Sequence, residues 1–152
     1  MRSLLCRLAS LAFLSIALVS TGLAADDKKL HRLAIHVDQN DPQVMNLALN
    51  NATNVLEYYR AKNEDVEVDI VTYGPGLHML RADTSPVQDR IKRLKEMAFP
   101  GKIEFSACNN TRQGMEKTEG KAISIVSDAT IVPSGVVRLM ELQEQGFSYI
   151  RP

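Results

Sequence analysis

The chain has 152 residues, with 18 Lys and Arg against 18 Asp and Glu, so its formal net charge is zero. Charges of both signs alternate without forming a block, which argues against nucleic acid or an anionic membrane surface as a partner. This length supports one domain with a real core and is too short for two.

At the N-terminus Arg2 and Arg7 precede an apolar or small-residue run over 8–19, followed by Ser20-Thr21-Gly22-Leu23-Ala24-Ala25. The run falls short of the ~20 residues that span a bilayer, and Gly22 and Ala24 suit signal peptidase. Residues 1–24 therefore read as a secretory signal peptide, cleaved after Ala24 or Ala25, with 25–152 as the mature domain. An uncleaved anchor is the alternative. Cleavage would remove Cys6 and leave Cys108 as the only cysteine, an anomaly in an oxidising compartment, where structural disulfides are usual. Export points to a periplasmic protein with no membrane attachment after cleavage.

Residues 32–37 read as a first buried strand. Asp41-Pro42 supplies an N-cap and a proline for the first helical turn, and Val44, Ala48, Ala52, Val55, Leu56 and Tyr59 follow at helical spacing. Met45 and Leu49 widen that apolar arc, and Leu47 and Tyr58 flank it, so the first helix is expected to cover the sheet and also touch a neighbouring subunit. Residues 66–73 form a second strand ending in Gly74-Pro75-Gly76, with a short helical piece near 77–80. Ser85-Pro86 is expected to cap a helix that turns Val87, Ile91, Leu94 and Ala98 inward. A third strand over 103–108 ends in Cys108, and a short helix follows from about Arg112 to 119. Residues 123–126 are ambiguous. A fourth strand over 129–132, a helix over 134–145 stopped by a left-handed Gly146, and a short strand over 147–150 complete the chain.

Strands alternating with helices give an α/β fold with a mostly parallel sheet and helices on both faces, and function belongs at the carboxyl ends of the strands. Cys108 lies on that rim, at a strand-to-helix turn where unsatisfied N–H groups favour a thiolate. The Asn110, Thr111 and Arg112 amides would hold the anion, and the Arg112 side chain would add positive charge. The bland alternative is a small buried hydrophobe.

Five motifs in order suggest a relationship: His36-Val37-Asp38, the Val-Thr-Tyr-Gly-Pro-Gly-Leu stretch at 71–77, Phe105-Ser106-Ala107-Cys108-Asn109-Asn110-Thr111, Val132-Pro133-Ser134-Gly135-Val136, and Gln145-Gly146-Phe147-Ser148-Tyr149-Ile150. Together they resemble the DsrE/DsrF-like family across the mature chain. The resemblance implies a three-layer α/β/α sandwich with a mostly parallel five-stranded sheet, assembly as a homotrimer or homohexamer, and, as in the sulfur-relay branch, a persulfide on Cys108. That branch works in the cytoplasm with partner subunits, whereas this chain reads as exported.

Cys108 is thus the candidate catalytic residue, with Asn109, Asn110, Thr111, Arg112, His36, Tyr73 and Ser134 as candidate substrate-binding residues. With no second mature cysteine to resolve a persulfide, turnover would need a sulfur donor or acceptor protein. A small-ligand-binding module using His36, Asn40, Tyr73, Cys108, Asn109 and Ser134, or an oligomeric accessory subunit with an inert cysteine, would be non-catalytic alternatives. No cofactor or metal is expected. Gly74-Pro75-Gly76 lacks the third glycine of a dinucleotide fingerprint, and His31, His36 and His78 lack metal-ligand spacing. Asn51-Ala52-Thr53 and Asn109-Asn110-Thr111 match glycosylation acceptors by chance, one inside a helix and one at the rim.

Overall fold

A computed structural model describes residues 29–152, so the signal-peptide expectation for 1–24 lies outside the described residues. Five strands run β1 (Leu30–Val37), β2 (Asp65–Thr72), β3 (Lys102–Cys108), β4 (Thr130–Val132) and β5 (Ser148–Ile150), interleaved with helices α1 (Pro42–Ala61), α2 (Gln88–Met97), α3 (Asn109–Glu119) and α4 (Gly135–Glu144). The sheet order is β4-β3-β2-β1-β5, and each pairing is parallel. The sequence pattern pointed to a mostly parallel sheet, and the described strands are wholly parallel. Such a sheet needs both faces covered, which the α/β/α layering provides.

Side-chain alternation divides the three central strands between two unlike cores. Leu33, Ile35, Val37, Val66, Val68, Ile70, Ile103, Phe105 and Ala107 join α1, α2 and the 3₁₀ turn Gly74–Leu80 in the larger, apolar core. The opposite face has a smaller apolar cluster, in which Ala34 and Val71 meet Leu139 and Leu142 of α4. The buried polar residues His36, Asp69 and Ser106 alternate onto this second face.

Most predicted elements form within a few residues of their expected bounds, and the differences have local causes. Asp41 caps α1 as expected, its carboxylate accepting from the Gln43 amide at 2.7 Å. Ser85 does not cap α2. Its hydroxyl donates to the Met79 carbonyl at 2.5 Å and accepts from the Val87 amide at 3.3 Å, holding a turn, and the helix begins later. The inward residues Val87, Ile91, Leu94 and Ala98 are nevertheless all buried. The ambiguous 123–126 stretch is an irregular segment that buries Ile123 and Val126 and forms one antiparallel bridge, Arg81 to Ile125. Gly146 is left-handed, with φ +86°, as expected for the residue that stops α4.

Met45 and Leu49 are 0 % and 1 % exposed, so both belong to the apolar core and cannot meet a neighbouring subunit. The flanking Leu47 and Tyr58 do stay exposed on α1, and further exposed large apolar residues are Val136, Val137 and Met140 on α4 and Ile131 on the edge strand β4. α1 lies across β1 and β2 and buries Met45, Ala48, Leu49, Ala52 and Leu56, whereas the shorter α4 buries Leu139 and Leu142 and leaves Val136, Val137 and Met140 bare.

α3 has no fully buried residue and is held near both ends. Towards its start, Thr111 Oγ1 accepts the Gly74 amide at 3.0 Å. At its end, Glu119 takes two donors from the buried Arg81, at 2.5 and 2.9 Å, and Arg81 also forks onto Asp83. Those anchors fix the helix whose first turn meets Cys108.

Candidate functional site at Cys108

Cys108 is both the last residue of β3 and the N-cap of α3, with an extended backbone at φ −68° and ψ 116°. α3 therefore starts directly after it, not at Arg112, and Asn109-Asn110-Thr111 form the first turn. N-caps are usually Ser, Thr, Asp or Asn, whose oxygen takes an orphan helix N–H. Here sulfur takes that place, and Sγ accepts the Thr111 amide at 3.5 Å.

More donors converge on the same sulfur. Because Thr111 Oγ1 accepts from the Gly74 amide, its own hydrogen is free to turn to Sγ, and the Thr111 side chain favours the thiolate. The amide of Asn110 donates to the Pro133 carbonyl at 3.3 Å, which ties the start of α3 to the segment that leads into α4, and the Asn110 and Gly135 amides both favour negative charge on the sulfur. Two helix starts thus lie beside the end of the strand, α3 following Cys108 directly and α4 starting three residues after Val132, the partner of Cys108 in register. Cys108 is only 4 % exposed, and burial pushes its thiol up, but the hydroxyl and amide donors outweigh burial and leave it below the ordinary value.

Gly135 makes this approach possible. A Cβ there would lie 2.8 Å from Cδ1 and 2.9 Å from Cβ of Tyr73, so only a bare backbone brings α4 this close to the end of β2. The Tyr73 phenol is held above its ordinary pKa, first by burial and then by the charges of Asp38, Tyr149 and Cys108, with Arg151 opposing. It stays protonated and can donate at the rim. His36 stacks on Tyr73 with ring centroids 4.5 Å apart, and its Nδ1 pairs with the Tyr149 hydroxyl at 2.9 Å. Burial lowers the His36 pKa, Asp38 opposes and Arg151 reinforces, so the ring is neutral near neutral pH. Its Nε2 is buried without a partner among the described residues, 4.0 Å from Asp38 Oδ2, and Asp38 is in turn gripped by Arg151 at 2.7 Å.

The expected site residues therefore sort into groups. Thr111 and the Asn110 amide reach the sulfur; Tyr73 lies within range of its charge; His36 stands behind Tyr73. Arg112 instead spends its donors on Asn109 Oδ1, at 2.9 and 3.1 Å, and on Glu116, at 2.8 Å, so its charge is neutralised within α3. Ser134 occupies the N-cap position of α4 but makes no side-chain cap bond. Reading the sequence alone missed Gly74 and Gly135, since they act through backbone N–H groups, and it missed Tyr149 and Arg151, which a short final strand brings beside His36 and Asp38. Among the described residues, no group of three or more His, Cys, Asp or Glu could hold a metal ion.

A family model described as the DsrE/DsrF-like family matches residues 32–152. The chain belongs to the DsrE/DsrF-like family. The matched span holds every element from β1 to β5 apart from the first two residues of β1, and with it the whole Cys108 site. Among solved structures, the protein is similar to one described as the protein of unknown function MTH1491 from Methanobacterium thermoautotrophicum, at 28% identity and a TM-score of 0.65, covering 80% of this chain and 99% of that one. A comparison with curated proteins finds no match. Membership in the DsrE/DsrF-like family supports a sulfur-relay-like fold; the chemistry at Cys108 must be argued from this chain's own site.

Proposed function

We propose that this DsrE/DsrF-like protein is exported and carries sulfane sulfur as a persulfide on Cys108. The convergence of the Thr111 hydroxyl and the Asn110, Thr111 and Gly135 amides on Sγ carries the reading, because these donors favour a sulfur anion over a neutral thiol. Support for export is the Arg2, Arg7 and apolar 8–19 pattern ahead of Gly22 and Ala24.

In the loading step the Cys108 thiolate attacks the outer sulfur of a donor such as thiosulfate. A new S–S bond forms to Cys108, the donor's S–S bond breaks, and its electron pair leaves with sulfite. The product is a Cys108 persulfide anion, which the same donors stabilise. An acceptor thiolate then attacks the outer sulfur and releases the Cys108 thiolate. The acceptor comes from another molecule, because Cys108 is the one free cysteine among the described residues.

Intact-mass spectrometry after exposure to thiosulfate or polysulfide tests the reading. We expect the mass of one added sulfur atom, removed by a reducing thiol and absent from Cys108→Ser. An unchanged mass would reject sulfur carriage. The uncapped start of α4 at Ser134 suits a second reading, in which the rim binds a small anion without bond making. Saturable anion binding that survives Cys108→Ser, with no added sulfur in the parent protein, would select that reading.

We also propose a homo-oligomer, trimer or hexamer, built on the bare face of α4 and the edge of β4. Val136, Val137, Met140 and Ile131 are each about half exposed, and symmetric assembly would bury them. Light scattering should give a multiple of the protomer mass, and Val137→Glu with Met140→Glu should reduce it to the protomer. A single-protomer mass for the parent protein at micromolar concentration would discard the assembly.

A further inference from the structure

We infer that the buried Asp69–Arg138 ion pair is a positioning device that, with Ser106, ties the start of α4 to β2 and β3 and so fixes the Gly135 amide beside Cys108. The inference rests on the reading of Cys108 as a functional thiolate. Asp69 lies mid-way along β2, opposite Ala34 of β1 and Glu104 of β3 in register. Its side chain is 2 % exposed, and Oδ2 alone accepts three donors: Arg138 Nε at 2.9 Å, Arg138 Nη2 at 2.7 Å and Ser106 Oγ at 3.1 Å. Oδ1 has no partner among the described residues.

Each partner belongs to an element that builds the site. Ser106 precedes Cys108 by two residues on the same face of β3. Arg138 lies in the first turn of α4, three residues after Gly135. One carboxylate thus fixes the distance between the strand that carries the sulfur and the helix start that caps it.

Stability alone is a poor account of this pair. Swapping a buried ion pair for apolar side chains of similar size is often neutral or stabilising, and the surrounding Ala34, Val71, Leu139 and Leu142 already form an apolar seam. A cation in the first turn of a helix is also disfavoured by the helix dipole unless an anion meets it. The arrangement accepts both costs, and leaves one carboxylate oxygen unsatisfied, in a place where the chemistry needs a fixed helix end.

The test is the pH dependence of iodoacetamide alkylation at Cys108 in the full mature protein, read beside the urea midpoint. In Asp69→Asn, a purely through-space charge effect would lower the alkylation midpoint, because a nearby anion has gone. Positioning makes the opposite prediction: the midpoint rises and the rate at pH 7 falls several-fold, because the Gly135 amide is no longer held. The titratable and charged groups on the elements around the sulfur are His36 on β1, Asp38 just after it, Tyr73 just after β2, Arg112 on α3 and Arg138 on α4, and Asp69→Asn substitutes none of them. The paired replacement Asp69→Leu with Arg138→Met keeps the seam filled and the fold intact, and it should raise the midpoint in the same way. Arg138→Lys, which keeps a cation opposite Asp69, should raise the midpoint less than either of these variants.

Folded variants with an unchanged or lowered midpoint would overturn the positioning role, even with a reduced urea midpoint. If the parent protein itself alkylates with a midpoint no lower than the unfolded chain, the reading of Cys108 fails first and the positioning role falls with it.

Discussion

Iodoacetamide should alkylate Cys108 of the folded protein with a pH midpoint below that of the unfolded chain, whose thiol titrates at about 8.5. Burial opposes this, since a nearly enclosed sulfur resists charge, but the Thr111 hydroxyl and the Thr111, Gly135 and Asn110 amides outweigh it. Each rate should be normalised to its own high-pH plateau, because burial slows the reagent at every pH without moving the midpoint. Thr111→Val keeps the side chain's shape and removes the hydroxyl. A hydrogen bond to a charged group contributes about 1.5–3 kcal/mol, so the variant should lose on the order of tenfold in thiolate at pH 7.

The same shift has a consequence for folding. A thiol whose pKa is depressed in the folded state adds stability that is fully present above the unfolded value and is lost as pH falls through the folded one. Cys108→Ser should therefore cost more stability on the alkaline side of that window than on the acid side, as read by urea unfolding at both ends. A folded midpoint at or above the unfolded one would return Cys108 to the ordinary buried thiols.

Gly76→Ala is expected to be the most damaging small substitution in the chain. Gly76 sits in the 3₁₀ turn where it crosses the end of β1, and an added Cβ would be driven into the Val37 carbonyl and to 2.7 Å from the Asp38 Cα. The obstructing atoms are backbone, so no rotamer change relieves the clash, and the turn or the strand end must move. A loss of about 3 kcal/mol, at the upper end of ordinary overpacking, would lower the melting temperature by on the order of 10 °C. The turn also holds the Gly74 amide against Thr111 Oγ1. The variant should consequently raise the Cys108 alkylation midpoint as well as destabilise the fold. Gly114→Ala is the matched control, because a Cβ there meets nothing within 4 Å. A Gly76→Ala protein that melts like the control would refute the clash.

The residue pattern alone determined the order of strands and helices, the parallel sheet, and the position of Cys108 where a strand gives way to a helix. These are local matters: period-two and period-3.6 apolar spacing, the Asp41-Pro42 start, the Gly146 stop. The family resemblance was legible for the same reason, because its motifs cluster at strand ends. Only the tertiary structure decided which groups face the sulfur. The Gly135 and Asn110 amides have no side-chain signature, and whether they reach Cys108 depends on how α4 and α3 pack. Arg112 looked like a free cation beside the thiol, yet Asn109 and Glu116 lie within its reach on the same helix turn and claim it first. Asp69 alternates with the apolar residues of β2, and only the fold shows it buried, paired with Arg138, 69 residues later in the chain. Helix α1 carried the strongest apolar arc, but the core took its Met45 and Leu49, and bare apolar surface is left at Leu47 and Tyr58 and on the short α4. Local patterns specify elements through contacts a few residues apart, whereas burial and donor geometry arise from contacts between elements distant in sequence, which no local pattern encodes.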